Sequence, residues 1–207
     1  KKFEKHFKSN ICSAPLIIVD DGSINPIEVS KINSRQVSVL RNNVNIGKGA
    51  SIIRGIEYSA DIGCDFTVAM DGDMQHSIED LSKFIDDTNP YDIILGYRTI
   101  KTPVMPLHRV FSNKVTSFIV SSIIKHKILD SQCGFRRYKN SFLEKFTFKE
   151  HGYHFESEIL LKISSDDSIK QVPVETIYND SKSHVNKISD TFKFIKLILR
   201  HILYVLL

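Results

Sequence analysis

The chain has too few cysteines for a disulfide framework, and those it has are badly spaced for a metal site. Cys12, Cys64 and Cys133 are odd in number and far apart, which favours a reducing, cytoplasmic setting. Lys and Arg never gather into a run interleaved with aromatics, which argues against a dedicated nucleic-acid binder. The formal net charge is only +4, so charge alone points weakly to anionic partners. No signal peptide, internal repeat or low-complexity segment stands out. The first residue is Lys rather than Met, which suggests a fragment or trimmed domain.

What is present is enough for one core: 207 residues, 42% of them hydrophobic, predict a single domain. Apolar runs of strand length alternate with stretches of helical period, the pattern of an α/β fold with a largely parallel sheet. Strands are predicted at Leu16–Val19, Val37–Leu40, Phe66–Met70, Ile93–Leu95 and Ile169–Val174. Ile52, Ile53, Ile56 and Ala60 give one helix its apolar face. Leu81, Phe84 and Ile85 mark a second, entered at Ser77 with Asp80 three residues on, close to a capping box. Leu107 through Ile123 forms a long amphipathic helix, and Thr99 to Pro106 before it reads as a loop.

The last stretch, Phe192 to Leu207, is mostly apolar, with Lys193, Lys196 and Arg200 at steps of three and four. Cations on one face of a greasy helix suit a membrane surface with anionic headgroups. It is too interrupted by charge to span, which takes roughly 18 clean apolar residues. The alternative is a terminal helix packed on the core or on a second copy of the chain, a possible homo-oligomer.

Three motifs carry chemistry. Asp71-Gly72-Asp73 follows the run Phe66–Met70, and two carboxylates two residues apart at a strand end can share one hard divalent cation. Strand ends are also where open α/β sheets place ligands. Asp20-Asp21 ends the strand Leu16–Val19 at the same edge, where one Asp could accept hydrogen bonds from a base or ribose; taken alone, the pair also fits an ordinary acidic turn. Gly47-Lys48-Gly49 is not a P-loop, because Asn42 stands where the first glycine should be and Gly49 where Ser or Thr should follow the lysine. It leaves a glycine-rich helix start whose N–H groups, with Lys48, could face an anion. A haloacid-dehalogenase phosphatase would need Thr or Val where Gln75 stands, so that reading is rejected.

Together, Val19-Asp20-Asp21-Gly22-Ser23, Asn45-Ile46-Gly47-Lys48-Gly49-Ala50 and Met70-Asp71-Gly72-Asp73-Met74-Gln75-His76 resemble a family-2 glycosyltransferase of the GT-A fold, a Rossmann-like, mostly parallel sheet flanked by helices. Gly96-Tyr97-Arg98, Arg109 with Ser112 and Asn113, Asp130 through Gly134-Phe135-Arg136, and Phe155-Glu156-Ser157-Glu158 continue the resemblance in order over about residues 15 to 185. It is strongest to the polyprenyl- and dolichyl-phosphate sugar transferase branch. The resemblance implies inverting transfer of a sugar from a UDP- or GDP-sugar to a polyprenyl phosphate at the cytoplasmic face of a membrane. It implies Mg2+ or Mn2+ held by Asp71, Asp73 and Gln75, with Asp20, Asp21 and Lys48 also on the nucleotide-sugar. Arg98, Arg109 and Ser112 would hold the acceptor phosphate, and Asp130 would orient it or act as a base. On this reading residues 1–187 are the catalytic domain and 188–207 the membrane-associated helix.

The chain departs from the family in two places. It starts after the strand that carries a Pro-x-Tyr-Asn-Glu motif, with Lys1–Asn10 reading as the following helix, so the sheet is expected to lack a central strand. Asn179-Asp180-Ser181-Lys182-Ser183-His184 replaces the mannosyltransferases' Arg-x-x-Gly-x-Ser-Lys, so the sugar and carrier do not transfer from that branch. A soluble transferase acting on a saccharide hydroxyl, whose usual Glu-Asp base motif is not obvious here because Phe155-Glu156-Ser157-Glu158 separates two Glu instead, and a non-catalytic binding module remain as alternatives.

Overall fold

The computed structural model describes residues 14–28, 37–99, 107–152, 154–177 and 187–206, with side chains undescribed at 107–109, 187–192 and 204–206. The expected helix at Lys1–Asn10, the loop 100–106 and the 179–184 segment lie outside the described residues.

Among the described residues, six strands form two sheets. In the first, β1 (Leu16–Asp20) and β2 (Val37–Arg41) run parallel, from Leu16 opposite Val37 to Asp20 opposite Arg41. The second has the order β3 (Phe66–Ala69), β5 (Arg136–Lys139), β4 (Ile93–Arg98), β6 (Ile169–Val174). Here β4 and β6 are parallel, and β5 is antiparallel to both of its neighbours. Helix α1 (Lys48–Asp61) packs against β1 and β3 alike, yet the described residues show no ladder between those two strands.

β4 explains the two-sided core. Successive side chains of a strand point to opposite faces. Accordingly Ile93 and Leu95 enter one apolar cluster, with Val120, Phe142, Phe155, Ile159 and Leu160, while Ile94 enters the other, with Phe84, Phe135, Val172 and Val174. Each such side chain fully removed from water contributes about 1.5–3 kcal/mol. Phe84 and Phe135 stack with ring centroids 4.3 Å apart. Because the first residues after each parallel strand lie at the same sheet edge, the ends of β1, β3 and β4 form the natural place for a site.

Beyond α1, a 3-10 turn at Ile78–Leu81 leads into α2 (Ser82–Ile85), and α3 is Leu107–Ile124. Two short helices, α4 (Asn140–Leu143) and α5 (Phe155–Leu161), precede α6 (Lys187–Leu206). The capping box expected at Ser77 does not form: its hydroxyl bonds to the Glu79 carboxylate, and the Asp80 carboxylate accepts the Glu175 N–H at 2.6 Å instead.

The terminal helix α6 docks on the core through buried Leu197, with Phe194 and Ile198 beside it. The expectation of three headgroup-facing cations needs correcting at Arg200, whose Nη2 donates to Glu150 Oε1 at 3.0 Å; Lys193 and Lys196 are exposed. Ile195, Leu199, Ile202 and Leu203 form an outward apolar stripe. Among the described residues, no helix is long and apolar enough to cross a membrane.

Candidate active site

At the end of β1 both carboxylates are already engaged by the chain. Asp20 Oδ1 accepts the Ser23 N–H at 2.9 Å, and its Oδ2 pairs with Arg41 and accepts from Ile27 N–H at 3.4 Å. The bonds from Ser23 lower the Asp20 pKa to about 2, with Ile27 and Arg41 adding to the effect and burial opposing it. Asp21 accepts from Asn42 Nδ2 and the Ile46 N–H, both at 2.8 Å, and from the Gly47 N–H at 2.9 Å. It thereby fastens the turn into α1.

A depressed carboxylate pKa stabilises the fold above the ordinary value of 3.8, and that contribution is lost as pH falls through the folded value of about 2. Asp20→Asn should therefore flatten the acid-unfolding curve between about pH 4 and 2, followed by circular dichroism. A curve parallel to wild type there would show that the Asp20 carboxylate does not drive acid unfolding.

The glycines at the start of α1 serve packing. Gly47 sits at φ 95°, and a Cβ there would strike the His151 carbonyl. Gly49 lets the 150–152 segment approach so closely that the Gly49 and Ala50 N–H groups donate to His151 O at 2.7 and 3.2 Å. These donors, expected to face an anion, are thus occupied by the chain. What remains for an anion is the Lys48 ammonium.

Lys48 reaches from α1 to the end of β3. Its Nζ lies 2.8 Å from Asp71 Oδ1 and 2.9 Å from Oδ2, and 2.6 Å from Glu156 Oε1 on α5. Burial alone would lower its pKa, but the Glu156 and Asp71 carboxylates outweigh burial and raise it, so the group is an ammonium. Gly134 lies against this pair: a Cβ there would be 2.8 Å from Asp71 Oδ2 and 3.1 Å from Lys48 Nζ. Asp73 Oδ1 accepts the Gln75 N–H at 3.0 Å across a turn in which Met74 takes a positive φ of 63°. The Gln75 carbonyl accepts from Ile177 N–H at 2.8 Å. The His76 side chain is largely covered, with Nε2 4.0 Å from Asp71 Oδ2, and burial lowers its pKa despite the pull of Asp71 and Asp73.

The donor set fits a divalent cation of the hard kind. It offers the oxygens of Asp71 and Asp73, and among the described residues no third His, Cys, Asp or Glu joins them. A cation that takes one or two carboxylates and completes its shell with phosphates and water suits so sparse a set.

At the end of β4, Arg98 forks onto Asp130, with Nε to Oδ2 at 2.7 Å and Nη2 to Oδ1 at 2.9 Å. Asp130 also accepts from the Arg98 N–H at 3.2 Å, from Asn113 Nδ2 at 2.9 Å and from the Gln132 N–H at 3.1 Å. Burial would raise its pKa, but these partners, Arg98 first, hold it below the ordinary carboxylate value. Ser112 is exposed on α3 beside Asn113; Arg109 lies on the same helix, with its side chain outside the described residues.

One segment joins the two clusters, since Asp130 anchors Arg98 and Gly134 contacts Asp71 and Lys48. Fully buried Arg136 secures that segment, donating to the carbonyls of Cys133, Glu156 and Ser131 at 2.7, 2.8 and 2.7 Å. Asn113 thus bonds Asp130, Gly134 lies against Asp71 and Lys48, and Arg136 braces Glu156, which pairs with Lys48, contacts that sequence spacing does not announce. A sheet of this order, with a D-x-D at one strand end and an anchored arginine at the next, defines a GT-A glycosyltransferase.

Comparison with known proteins agrees. Residues 14–150 match the family described as Glycosyl transferase family 2, and the chain belongs to that family. It is 30% identical over 192 residues to the UDP-N-acetylglucosamine--dolichyl-phosphate N-acetylglucosaminyltransferase of Methanococcus voltae, covering 80% of this chain and 75% of that one. It is 25% identical over 187 residues to the polyprenol monophosphomannose synthase of Mycolicibacterium smegmatis, covering 84% and 70%. The fold is shared with glucosyl-3-phosphoglycerate synthase from Mycobacterium tuberculosis, solved with Mn2+, UDP-glucose and phosphoglyceric acid, at a TM-score of 0.64 and 17% identity over 90% of this chain and 68% of that one.

Proposed function

We propose that this glycosyltransferase moves a sugar from a nucleotide-sugar to a polyprenyl or dolichyl phosphate, with inversion at the anomeric carbon. The observation that carries the acceptor class is the state of the carboxylates. Asp130 is saturated by Arg98, Asn113 and Gln132; Glu156 is paired with Lys48; Glu158 accepts the Lys149 and Glu150 N–H groups. None of these three is placed as a base for a saccharide hydroxyl. A phosphate monoester, with a second pKa of about 6, is largely ionised near neutrality and asks for positioning rather than deprotonation.

In this reading Arg98, held by Asp130, presents the acceptor phosphate with charged donors, and Arg109 and Ser112 on α3 flank it. Asp130 is then a positioning residue for Arg98. Lys48, Asp71 and Asp73 hold the donor diphosphate, with Gln75 beside them, while Asp20 and Asp21 shape the nucleotide end of the site. Mg2+ or Mn2+ on Asp71 and Asp73 would neutralise charge growing on the departing diphosphate. The outward stripe of α6, with exposed Lys193 and Lys196, suits the cytoplasmic face of a membrane that carries such an acceptor.

The test offers polyprenyl phosphate and the matching polyprenol as acceptors, with UDP-N-acetylglucosamine, UDP-glucose and GDP-mannose as donors, in anionic vesicles. Transfer to the phosphate, with the protein floating on the vesicles, is expected. Better use of the alcohol or of a saccharide would overturn the acceptor class, and a vesicle-independent protein the membrane setting.

A further inference from the structure

The Lys48 ammonium is placed as a metal would be. It has three N–H donors and faces three carboxylate oxygens, both of Asp71 and one of Glu156, at 2.6 to 2.9 Å. Both oxygens of Asp71, one of the two D-x-D carboxylates, thus already face a cation before any ligand arrives. Asp73 differs: it accepts the N–H of the neighbouring Gln75.

We infer that Lys48 is a resident counter-cation of the D-x-D motif, which a divalent cation must displace from Asp71 and which Glu156 then retains beside the donor's diphosphate. The inference rests on the proposed reading that this site binds a divalent cation and a diphosphate. It adds that Glu156 is a positioning residue acting through Lys48.

Charge and geometry both support the exchange. A divalent cation on the Asp71 oxygens would share one carboxylate with the ammonium in its present seat, and like charges so close oppose each other strongly. Glu156 supplies a second seat: its side chain is only 6% exposed, and α5 is braced because Arg136 Nη1 donates to the Glu156 carbonyl at 2.8 Å. From there the flexible lysine stem can turn its head from a carboxylate to a phosphate oxygen without giving up its buried partner. The absent side chain at Gly134 is what lets Asp71 and Lys48 lie together here, since a Cβ there would be 2.8 Å from Asp71 Oδ2 and 3.1 Å from Lys48 Nζ. In the free protein the ammonium also offsets the charge of carboxylates that would otherwise repel one another.

The inference predicts effects of opposite sign. Lys48→Met frees Asp71 and removes a positive charge, so Mn2+ alone should bind the nucleotide-free protein about tenfold more tightly. UDP or GDP should bind that variant about tenfold more weakly at saturating Mn2+. Glu156→Gln removes a negative charge and leaves Lys48 on Asp71, so Mn2+ affinity should fall several-fold. A purely structural role would weaken Mn2+ binding in both variants. Because Lys48→Met leaves Glu156 buried without its cation, the double variant Lys48→Met, Glu156→Gln is measured as well, and it should bind Mn2+ about tenfold more tightly than Glu156→Gln alone. Calorimetric titration of the full chain with MnCl2, then with UDP and GDP, reads all of these. If removing Lys48 leaves Mn2+ affinity unchanged or lower in both backgrounds, the counter-cation role is wrong while the metal site stands. If the wild-type chain binds no Mn2+ at all, the metal reading falls and this inference with it.

Discussion

Replacing Arg136 with methionine should lower the melting temperature by about 10 °C or more, although the residue touches no substrate position. Its guanidinium is fully buried and is spent on three main-chain carbonyls, those of Cys133, Glu156 and Ser131. Methionine fills much of the volume but donates nothing, and each buried carbonyl left without a donor costs about 1–3 kcal/mol. Three such losses take a large share of the roughly 5–15 kcal/mol that holds an ordinary domain together. At about 2–4 °C per kcal/mol for a chain of this size, even the lower end of that sum is a shift near 10 °C. Arg136→Lys should fall between, because an ammonium has three donors but not the planar fork that matches these carbonyls. Thermal unfolding followed by circular dichroism checks the series; a methionine variant melting within about 2 °C of wild type would mean that water or relaxation satisfies those carbonyls.

Arg136 also shows where the sequence is hard to read. Its strand, β5, is Arg-Arg-Tyr-Lys, with no apolar alternation to betray it, yet Arg136, Arg137 and Tyr138 are all buried. The arginines are tolerated because main-chain carbonyls surround them, a condition set by distant segments. Helix α5 is hidden for the opposite reason: every one of its residues from Phe155 to Leu161 is buried, so it has no polar face and no helical period. By contrast β3, β4, β6, α1 and α3 were legible because each carries an apolar run or a helical stripe. The placement of Asp71 and Asp73 at a strand end followed from β3, whereas Arg98 came only from the family resemblance, since β4 was expected to end at Leu95 and runs on to Arg98.

Partners were harder to read than positions. The Asp71–Lys48 pair and the Arg98–Asp130 fork join residues far apart in sequence, as does Glu156 with Lys48. The family resemblance put these residues in order, but spacing gave no hint of who would neutralise whom. The same gap explains the two local misreadings. At Ser77 the hydroxyl donates to the Glu79 carboxylate and caps no backbone N–H, and at Arg200 the acidic Glu150 takes a cation that helical spacing had assigned to headgroups.

Gly134→Ala should cut sugar transfer about 100-fold while leaving the melting temperature nearly unchanged. Gly134 does not have a positive φ, so alanine is compatible with its backbone and only space decides the outcome. The added Cβ would lie 2.8 Å from Asp71 Oδ2, 3.3 Å from Asp71 Cγ and 3.1 Å from Lys48 Nζ. These are the ends of rotatable side chains, which can yield at little cost to the fold. They can do so only by leaving the places where a cation and a diphosphate would be held, and a displacement of about 1 Å at a reacting centre can cost a factor of 100 in rate. Gly47→Ala provides the contrast, since there the clash is with the His151 main chain and φ is 95°, so stability should fall first. Measuring kcat/KM and Tm on both variants separates the two kinds of glycine. Full activity in Gly134→Ala would show that the close approach of residue 134 to Asp71 and Lys48 plays no part in transfer.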